Sequence, residues 1–355
     1  MNIRIDHIDI AKGISIILVA IHHSKFKVLF PSIVESMSLF RMPLFFFLSG
    51  IFFSVLQEPK FFLLKKTEAL LKPYFSVLLT VVCISVLFYQ GDFSNQLINI
   101  FIGNGRSIAQ IDIYWWVPMW FLTHLFAVFC STYILFKYLK FDSLPQISKW
   151  VGIAIVFAIG VNQIAIAWNV KTEIFNQELT MYGLPFSVDL LLVTTSYFIV
   201  GYLLKKQIQN FKPNFYWLLA AITSLIIVVL FTEAKISLNH RVYNEPFFAT
   251  LGAISGIYII LSLSCFISSF NIIKKIILYI GSASLYILIF HGFVYFRTYN
   301  FLINHSPENI LLVAVISLGF AIIIPLGIKW LVDKNRIISL FLHPTSLVKK
   351  SNKSN

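Results

Sequence analysis

Apolar stretches of about twenty residues recur along the whole chain, and this repetition limits what the chain can fold into. A membrane-spanning helix needs roughly twenty mostly apolar residues. The stretches therefore predict an all-α integral membrane protein, a bundle of about ten transmembrane helices. They lie near 8–25, 38–56, 74–90, 117–136, 147–168, 184–204, 214–231, 246–270, 277–296 and 309–331.

The composition of the chain excludes a soluble domain of this length. Hydrophobic residues make up 58% of the 355 residues and charged residues only 12%. A soluble core of this size could not bury so much apolar surface, so lipid must be the solvent for most of it. The net charge of +13 would usually suggest a nucleic-acid partner, but its distribution along the chain indicates a different cause.

The basic residues indicate the orientation of the chain, because Lys and Arg accumulate in cytoplasmic loops. With a cytoplasmic N-terminus, twenty of the 28 basic residues fall in inner segments, and the eight outer ones are offset by eight acidic residues. We therefore expect a multi-pass protein of the inner (cytoplasmic) membrane with both termini cytoplasmic and no nucleic-acid partner. The inner basic residues are Arg4, Lys12, Lys60, Lys65, Lys66, Lys72, Lys137, Lys140, Lys149, Lys205, Lys206, Lys212, Lys274, Lys275, Lys329, Lys334, Arg336, Lys349, Lys350 and Lys353.

The domain organisation is simple, with one transmembrane domain over 1–335 and a basic cytoplasmic tail over 336–355. The cysteines Cys83, Cys130 and Cys265 lie in three different apolar runs, without the spacing of metal ligands. We therefore expect reduced core thiols and no metal site.

Ionisable residues inside apolar helices are costly, and the first helix carries Lys12, His22 and His23. Eleven steps of about 100° bring Lys12 and His23 to within about 20° of one face, roughly 16 Å apart along the axis, while His22 points about 80° away from Lys12. Lys12 and His23 could serve an extended ligand as cationic anchor and general base. Alternatively, Lys12 snorkels to the inner headgroups and both histidines cap the helix at the outer interface; helix geometry alone favours this second reading.

The second helix begins with the sequence FRMPLFFFLSG, which runs from Phe40 to Gly50. Pro is tolerated in the first turn of a helix, so Pro43 predicts that Arg41 lies near the outer membrane face, where the first helix delivers His23. A guanidinium there could hold a sugar hydroxyl or a developing oxyanion, or it could be an interfacial anchor. Ser49 and Gly50 are a small-residue pair that allows close helix packing.

Further candidates lie later in the chain. Lys65, Lys66 and Lys72 on the inner face could bind phosphates, although the positive-inside rule explains them equally simply and is the favoured reading. His291, Asp189 and the segment of Trp120 with His124 are more often packing or channel-lining groups than catalysts.

The segments DIAKGISIILVAIHHS and FRMPLFFFLSGIFF together resemble the opening of the membrane acyltransferase family three. Weaker features follow in the same order over essentially the whole chain. These are the basic segment ending in Pro73 and Tyr74, the WFL that begins at Trp120, Leu184 with Pro185, and a Ser-Leu-Tyr-Ile run leading to His291.

The resemblance implies transfer of an acyl group, usually acetyl, from cytoplasmic acetyl-CoA to a hydroxyl of a lipid-linked or surface glycan. By position in the motifs, Lys12 is the basic residue and His23 the histidine of the first helix, and Arg41 precedes the second motif. The chain departs from the family where Ala69 replaces a common arginine. Lys65, Lys66 and Lys72 would then substitute in holding the CoA phosphates.

These observations favour a membrane O-acyltransferase that uses acetyl-CoA as donor, with membrane lipid and a glycan acceptor as partners. His23 would act as general base or acetyl carrier, and Arg41 would stabilise the oxyanion. A transporter or flippase for a lipid-linked glycan would use the same intramembrane charges for translocation. A structural or regulatory membrane subunit that keeps the motifs without activity is a third hypothesis.

Overall fold

The computed structural model describes residues 5–111, 114–174 and 177–344, and this part of the chain is largely helical. Its helices are α1 (Asp6–His22), α2 (Phe26–Leu29), α3 (Pro31–Ser36), α4 (Ser38–Ile51), α5 (Pro59–Lys66), α6 (Lys72–Tyr89), α7 (Phe93–Ile102), α8 (Gly105–Ile108), α9 (Trp120–Lys137), α10 (Gln146–Asn162), α11 (Leu191–Leu203), α12 (Lys205–Gln209), α13 (Phe215–Phe231), α14 (Pro246–Ser268), α15 (Asn271–Ser282), α16 (Ser284–His305), α17 (Ile310–Lys334) and α18 (Arg336–Leu342).

Two short antiparallel hairpins interrupt the helices, and the apolar pattern did not predict them. They are β1 (Trp168–Ile174) with β2 (Gln177–Tyr182), and β3 (Lys235–Ser237) with β4 (Val242–Asn244). Both lie in connections between apolar stretches, where hydropathy carries no information about strand pairing. Short 3₁₀ segments also occur at Tyr114–Met119, Phe141–Ser143, Pro185–Leu190 and Leu238–His240, and a π-helical turn at Thr67–Leu71 joins α5 to α6.

Six helices within the described residues are long and apolar enough to cross a membrane, and the count rises to seven if the pair α15 and α16, bent by 82°, forms one span. Some of the six join consecutive elements. They are Pro31–Ile51 (α3 and α4), Pro59–Tyr89 (α5 and α6), Trp115–Lys137 (with α9), Pro185–Leu203 (with α11), Pro246–Ser268 (α14) and Ile310–Lys334 (α17). Helices α1, α10 and α13 have only 17 residues each. All ten predicted stretches overlap helices, but a total of ten spans and the cytoplasmic termini stay predictions.

The described chain forms two compact units, and the first comprises Met1–Phe52 and Tyr197–Gly327. Helix α1 is its centre, in contact with α4, α14, α15 and α16. A helix that is apolar all round belongs in an interior, and α1 accordingly buries residues on all sides, including Ile8, Ile10 and Ile16, which are 0% exposed. The core of this unit therefore surrounds the helix that carries Lys12 and His22.

The second unit comprises Phe53–Ser196 and Ile328–Asn355. Its core is rich in aromatic rings, and Tyr133 of α9 stacks on Phe62 of α5 at 4.2 Å between ring centroids. The Tyr133 hydroxyl also donates to the carbonyl of Gln57 at 2.6 Å. Part of the predicted tail forms α18, which contacts α6; positions 345–355 lie outside the described residues.

Helices α4 and α11 meet in the first unit with their backbones in contact. A Cβ atom on Gly50 would overlap the carbonyl oxygen of Phe198, and one on Gly201 would overlap that of Phe47. The expectation of close packing at the Ser49–Gly50 pair is therefore correct. The contact fixes α4, the helix that carries Arg41, against α11.

The beginning of α4 differs from the sequence-based expectation. Pro43 is the sixth residue of α4 and not part of its first turn, because α4 begins at Ser38 and α3 precedes it almost without a break. The first-turn proline of this span is Pro31. Arg41 is consequently the fourth residue of α4 and the eleventh of the candidate span Pro31–Ile51. Its position relative to the outer membrane face stays a prediction.

Candidate functional site

The C-terminal end of α1 presents two adjacent histidine rings. Helix α1 ends at His22, and His23 is its cap, whose backbone N–H still donates to the carbonyl of Val19 at 3.2 Å. The two ring centroids lie 5.1 Å apart, with the ring planes nearly perpendicular. His23 is exposed, in contrast to most of α1. The helix therefore ends on a histidine that is more exposed than most of α1.

His291 of α16 lies beside this exposed ring, with 5.4 Å between the centroids of His23 and His291. Its side chain is 1% exposed. Its Nδ1 lies 2.6 Å from the carbonyl oxygen of Ile287 and 3.1 Å from that of Leu288. Carbonyl oxygens only accept, so these partners assign the proton of the neutral ring to Nδ1 and leave Nε2 as the lone-pair nitrogen. Nε2 is buried without a hydrogen-bond partner among the described residues.

Arg41 of α4 completes this group of side chains. It is only 8% exposed, and its Nη1 is buried without a hydrogen-bond partner in the described part of the chain. An interfacial anchor would keep its charged head in water, so this burial does not fit the anchor reading. A buried guanidinium needs acceptors or an anion, so the donor at Nη1 keeps Arg41 a candidate for ligand binding.

We define the His23 cluster as His22, His23, Arg41 and His291. His22, Arg41 and His291 lie close enough to the ring of His23 to act on it electrostatically. Nδ1 of His22 is also buried without a partner among the residues described. The structure thus brings four of the sequence-predicted candidates together, three on helices of the first unit and His23 at the cap of α1.

The surroundings of the His23 cluster include residues that the sequence did not single out. The backbone N–H of Lys25 donates to the hydroxyl of Tyr295 at 2.8 Å, which ties the segment after His23 to α16. Tyr295 follows His291 by four residues, so both side chains lie on one face of α16. That spacing was visible in the sequence. The contact restricts where the segment carrying His23 can move.

The β3–β4 hairpin brings a further histidine near the cluster. His240 acts electrostatically on His22, and its Nδ1 lies 3.0 Å from Oγ of Ser237. The hairpin is held by Tyr243, whose hydroxyl lies 2.6 Å from that of Tyr197 and 2.9 Å from Oγ1 of Thr250. A histidine in a polar connection carries no signal in the sequence that separates it from an ordinary surface residue.

Lys12 lies toward the other end of α1, eleven residues before His23. Its Nζ is 3.3 Å from Oδ1 of Asp9 and 3.6 Å from the centroid of the Phe52 ring. Its side chain is 33% exposed. A carboxylate and an aromatic ring thus contact the ammonium, and the alternative that Lys12 snorkels to the inner headgroups stays a prediction. A role as phosphate anchor would require Asp9 to share this ammonium with the ligand.

The basic candidates of the second unit have different environments. Nζ of Lys66 lies 3.2 Å from the centroid of the Phe129 ring, and Nζ of Lys72 donates to the carbonyl of His343 at 2.8 Å. Lys65 is exposed. Of the three, Lys65 is thus the most accessible to a phosphate, and a shared role in binding CoA stays a prediction.

Asp189 and Trp120 occupy positions that a packing role explains. Oδ1 of Asp189 accepts from the backbone N–H of Leu184 at 2.9 Å, across the 3₁₀ segment before α11. The Trp120 ring is 6% exposed and lies 5.7 Å from that of His124. Nδ1 of His124 lies 3.2 Å from the carbonyl of Phe186. Within the described residues no group of three or more His, Cys, Asp or Glu side chains could hold a metal ion.

Comparison with known proteins gives one match. The family model described as an acyltransferase domain, that of acyltransferase family three, matches residues 5–330, which is nearly the whole chain. No curated protein and no solved structure matches the chain.

Proposed function

Because the chain belongs to acyltransferase family three and is thereby a membrane acyltransferase, we propose that it moves an acetyl group from acetyl-CoA to a hydroxyl of a cell-surface or lipid-linked glycan. The His23 cluster is the observation that carries this proposal. It combines an exposed imidazole, a buried lone-pair nitrogen and a buried guanidinium donor, which are the groups that acyl transfer to a hydroxyl requires.

His23 is the general base in this proposal. The acceptor oxygen attacks the carbonyl carbon of the thioester while His23 takes the hydroxyl proton. The tetrahedral intermediate then collapses, the C–S bond breaks, and the departing sulfur of CoA takes the proton back from His23. The products are the glycan ester and the CoA thiol, and His23 returns to its neutral form. The exposure of His23 supports this role, because an acceptor must reach the ring.

His291 is a positioning residue for His23. With its proton on Nδ1, its Nε2 can accept the N–H of the neighbouring imidazole, which leaves the other nitrogen of His23 as the base. The 5.4 Å between the ring centroids suits such a pair after a small ring rotation. The orphaned Nε2 supports this role, because a buried acceptor without a donor is unfavourable.

Arg41 would stabilise the charge that develops on the carbonyl oxygen. Its Nη1 is fixed on α4, whose backbone is held against α11 at Gly50. A donor that is already oriented and desolvated needs no reorganisation when the oxyanion forms. The unbonded state of Nη1 supports this role.

The donor would lie along α1, with a CoA phosphate at Lys12 and the thioester near His23. The separation of roughly 16 Å along the helix suits an extended pantetheine arm. Because Lys12 is paired with Asp9 in the structure, phosphate binding there exchanges one anionic partner for another. Lys65, Lys66 and Lys72 are the alternative phosphate ligands.

Incubation of the purified protein with acetyl-CoA labelled in the acetyl group tests the proposed function. We expect label to move to a glycan acceptor and CoA thiol to appear in equal amount. A transporter or flippase would release no CoA thiol. A structural or regulatory subunit would also leave acetyl-CoA intact, so an unchanged donor would contradict the proposal.

Substitution of Lys12 tests the donor site. Lys12→Arg keeps the charge and should retain substantial activity, whereas Lys12→Met should raise the KM for acetyl-CoA about tenfold or more and leave that for the acceptor nearly unchanged. Initial rates at varied donor and acceptor concentrations measure both constants. Lys274→Met is a matched control, because Lys274 pairs with Asp6 at the same end of α1. If Lys12→Met keeps the wild-type KM, the donor site must be sought at Lys65, Lys66 and Lys72.

A further inference from the structure

The chain leaves the path of α1 directly after His23. The backbone N–H of His23 still donates to the carbonyl of Val19 at 3.2 Å, as in an α-helix, whereas that of Ser24 donates to the carbonyl of Ile21 at 3.1 Å. Beyond the last turn of a helix, the backbone is no longer fixed by the hydrogen bonds of that helix. The position of His23 therefore depends on the contacts that the next residues make with other elements.

Tyr295 of α16 contacts the two residues that follow His23. Its hydroxyl oxygen accepts the backbone N–H of Lys25 at 2.8 Å, and the hydroxyl is also hydrogen-bonded to the side chain of Ser24. The Ser24 hydroxyl donates to the carbonyl of Ile21 at 2.7 Å, and its oxygen accepts the backbone N–H of Phe26 at 3.2 Å. Because the single proton of the Ser24 hydroxyl is used at Ile21, Tyr295 is the donor to Ser24.

We call these hydrogen bonds the Tyr295 clamp. The two hydroxyls that form it are largely buried, since Tyr295 is 7% exposed and Ser24 is 8% exposed. The Tyr295 ring is also oriented, because it stacks on the Tyr299 ring with 5.7 Å between centroids and 15° between planes. A buried network whose hydroxyls all have partners specifies one conformation of the chain. The clamp therefore holds the turn after α1 in one arrangement against α16.

The clamp lies one helical turn from the imidazole that contacts His23. His291 and Tyr295 are four residues apart, so both side chains lie on one face of α16. The His291 ring is 5.4 Å from the His23 ring between centroids, and Tyr295 holds the main chain immediately after His23. Helix α16 thus contacts the end of α1 at two points, one on the ring and one on the backbone.

We propose that Tyr295 is a second positioning residue for His23 and acts through the backbone of Ser24 and Lys25. It touches no reacting atom in this role. A general base must be held within about 0.5 Å of its productive position. His23 is the cap of α1 and not part of its regular turns, so the helix alone does not supply this precision. The proposal rests on the proposed function for the role of His23 as general base.

Tyr295→Phe tests the clamp, because it removes the hydroxyl and keeps the stacked ring. Membrane vesicles from the cells that naturally carry the chain supply the acceptor, and acetyl-CoA labelled in the acetyl group is the probe. We expect the maximal rate of label transfer per molecule of protein to fall about tenfold, with the KM for acetyl-CoA within about twofold of wild type. Tyr299→Phe is the matched control, because it removes a hydroxyl one turn further along α16, and should leave the rate within about twofold.

Hydrogen exchange of the purified full-length protein in detergent gives a readout that does not depend on acetyl transfer. The Lys25 amide loses its acceptor in Tyr295→Phe, so its exchange should become about tenfold faster or more, while the remainder of α1 and α16 exchanges as in the wild type. Faster exchange throughout both helices would indicate a general loss of stability and would contradict a positioning role.

Ser24→Ala interrupts the clamp on the other side of the Tyr295 hydroxyl. We expect it to lower the maximal rate about threefold. The double variant Ser24→Ala, Tyr295→Phe should be no more than about twofold slower than Tyr295→Phe, because residues that act as one unit lose their effect only once. A double variant whose loss equals the product of the two single losses would contradict the clamp.

Three further results would refute the role of Tyr295. They are a wild-type maximal rate in Tyr295→Phe, a wild-type exchange rate of its Lys25 amide, and a raised KM for acetyl-CoA with the maximal rate preserved, which would assign Tyr295 to donor binding. Failure of the proposed function has a different signature, because wild-type vesicles would then transfer no label and the positioning role would fall with it. Equal transfer by the wild type and Tyr295→Phe would refute only the role of Tyr295.

Discussion

His23→Ala is expected to abolish acetyl transfer while the protein still inserts and folds. The substitution removes the general base, and such groups contribute about 10²–10⁴-fold to the rate. His23 caps α1 and is exposed, so its loss creates no buried cavity and should cost little stability. The initial rate of label transfer measures the first effect, and thermal unfolding in detergent measures the second.

His22→Ala is the matched control for this experiment. The two histidines are adjacent, and their ring centroids lie 5.1 Å apart, yet only His23 contacts the ring of His291 among the described ring pairs. We expect His22→Ala to retain most of the activity. Equal losses of activity in the two variants would mean that the site does not distinguish the two histidine rings. A His23→Ala variant that stays active would contradict the role of His23 as general base.

Arg41→Met is expected to lower kcat by about 10²–10³-fold with little change in either KM. This is the loss that follows removal of one oxyanion donor, because the interaction is formed mainly in the transition state. Methionine keeps much of the buried volume, so α4 should retain its packing. Arg41→Lys keeps the charge without the planar fork and should restore only part of the rate.

Arg297→Met is the matched control for Arg41. Arg297 lies on α16 in the same unit, is exposed, and has its guanidinium carbon 5.6 Å from the centroid of the Phe293 ring. Its substitution should leave kcat within about twofold. A large rise in the KM of the acceptor for Arg41→Met, with kcat preserved, would assign Arg41 to acceptor binding and contradict the oxyanion role.

Much of the helical fold could be predicted because lipid imposes a simple rule on the backbone. Every spanning segment must satisfy its own N–H and C=O groups, so a long apolar run such as 309–331 already implies a helix like α17. The 82° bend between α15 and α16 could not be predicted in the same way. It follows the small residues Gly281, Ser282 and Ala283, which permit a break but do not require one.

The candidate site could be predicted only where its residues are close in the sequence. The spacing of Lys12 and His23 follows from helical geometry, and Arg41 stands beside a recognisable motif. The neighbour of His23 was not predictable, because His291 lies far along the chain and only the packing of α1 against α16 brings the two rings together. Hydropathy likewise did not indicate that α3 precedes α4, the helix that carries Arg41.

The backbone contacts of Gly50 with Phe198 and of Gly201 with Phe47 have a consequence for how the protein tolerates different lipids. A helix pair separated by long side chains can slide as those side chains change rotamer, but here each glycine meets a main-chain carbonyl. We therefore expect α4 and α11 to tilt together when the bilayer becomes thicker or thinner. The guanidinium of Arg41 should then keep its height relative to α11 in lipids of different acyl-chain length.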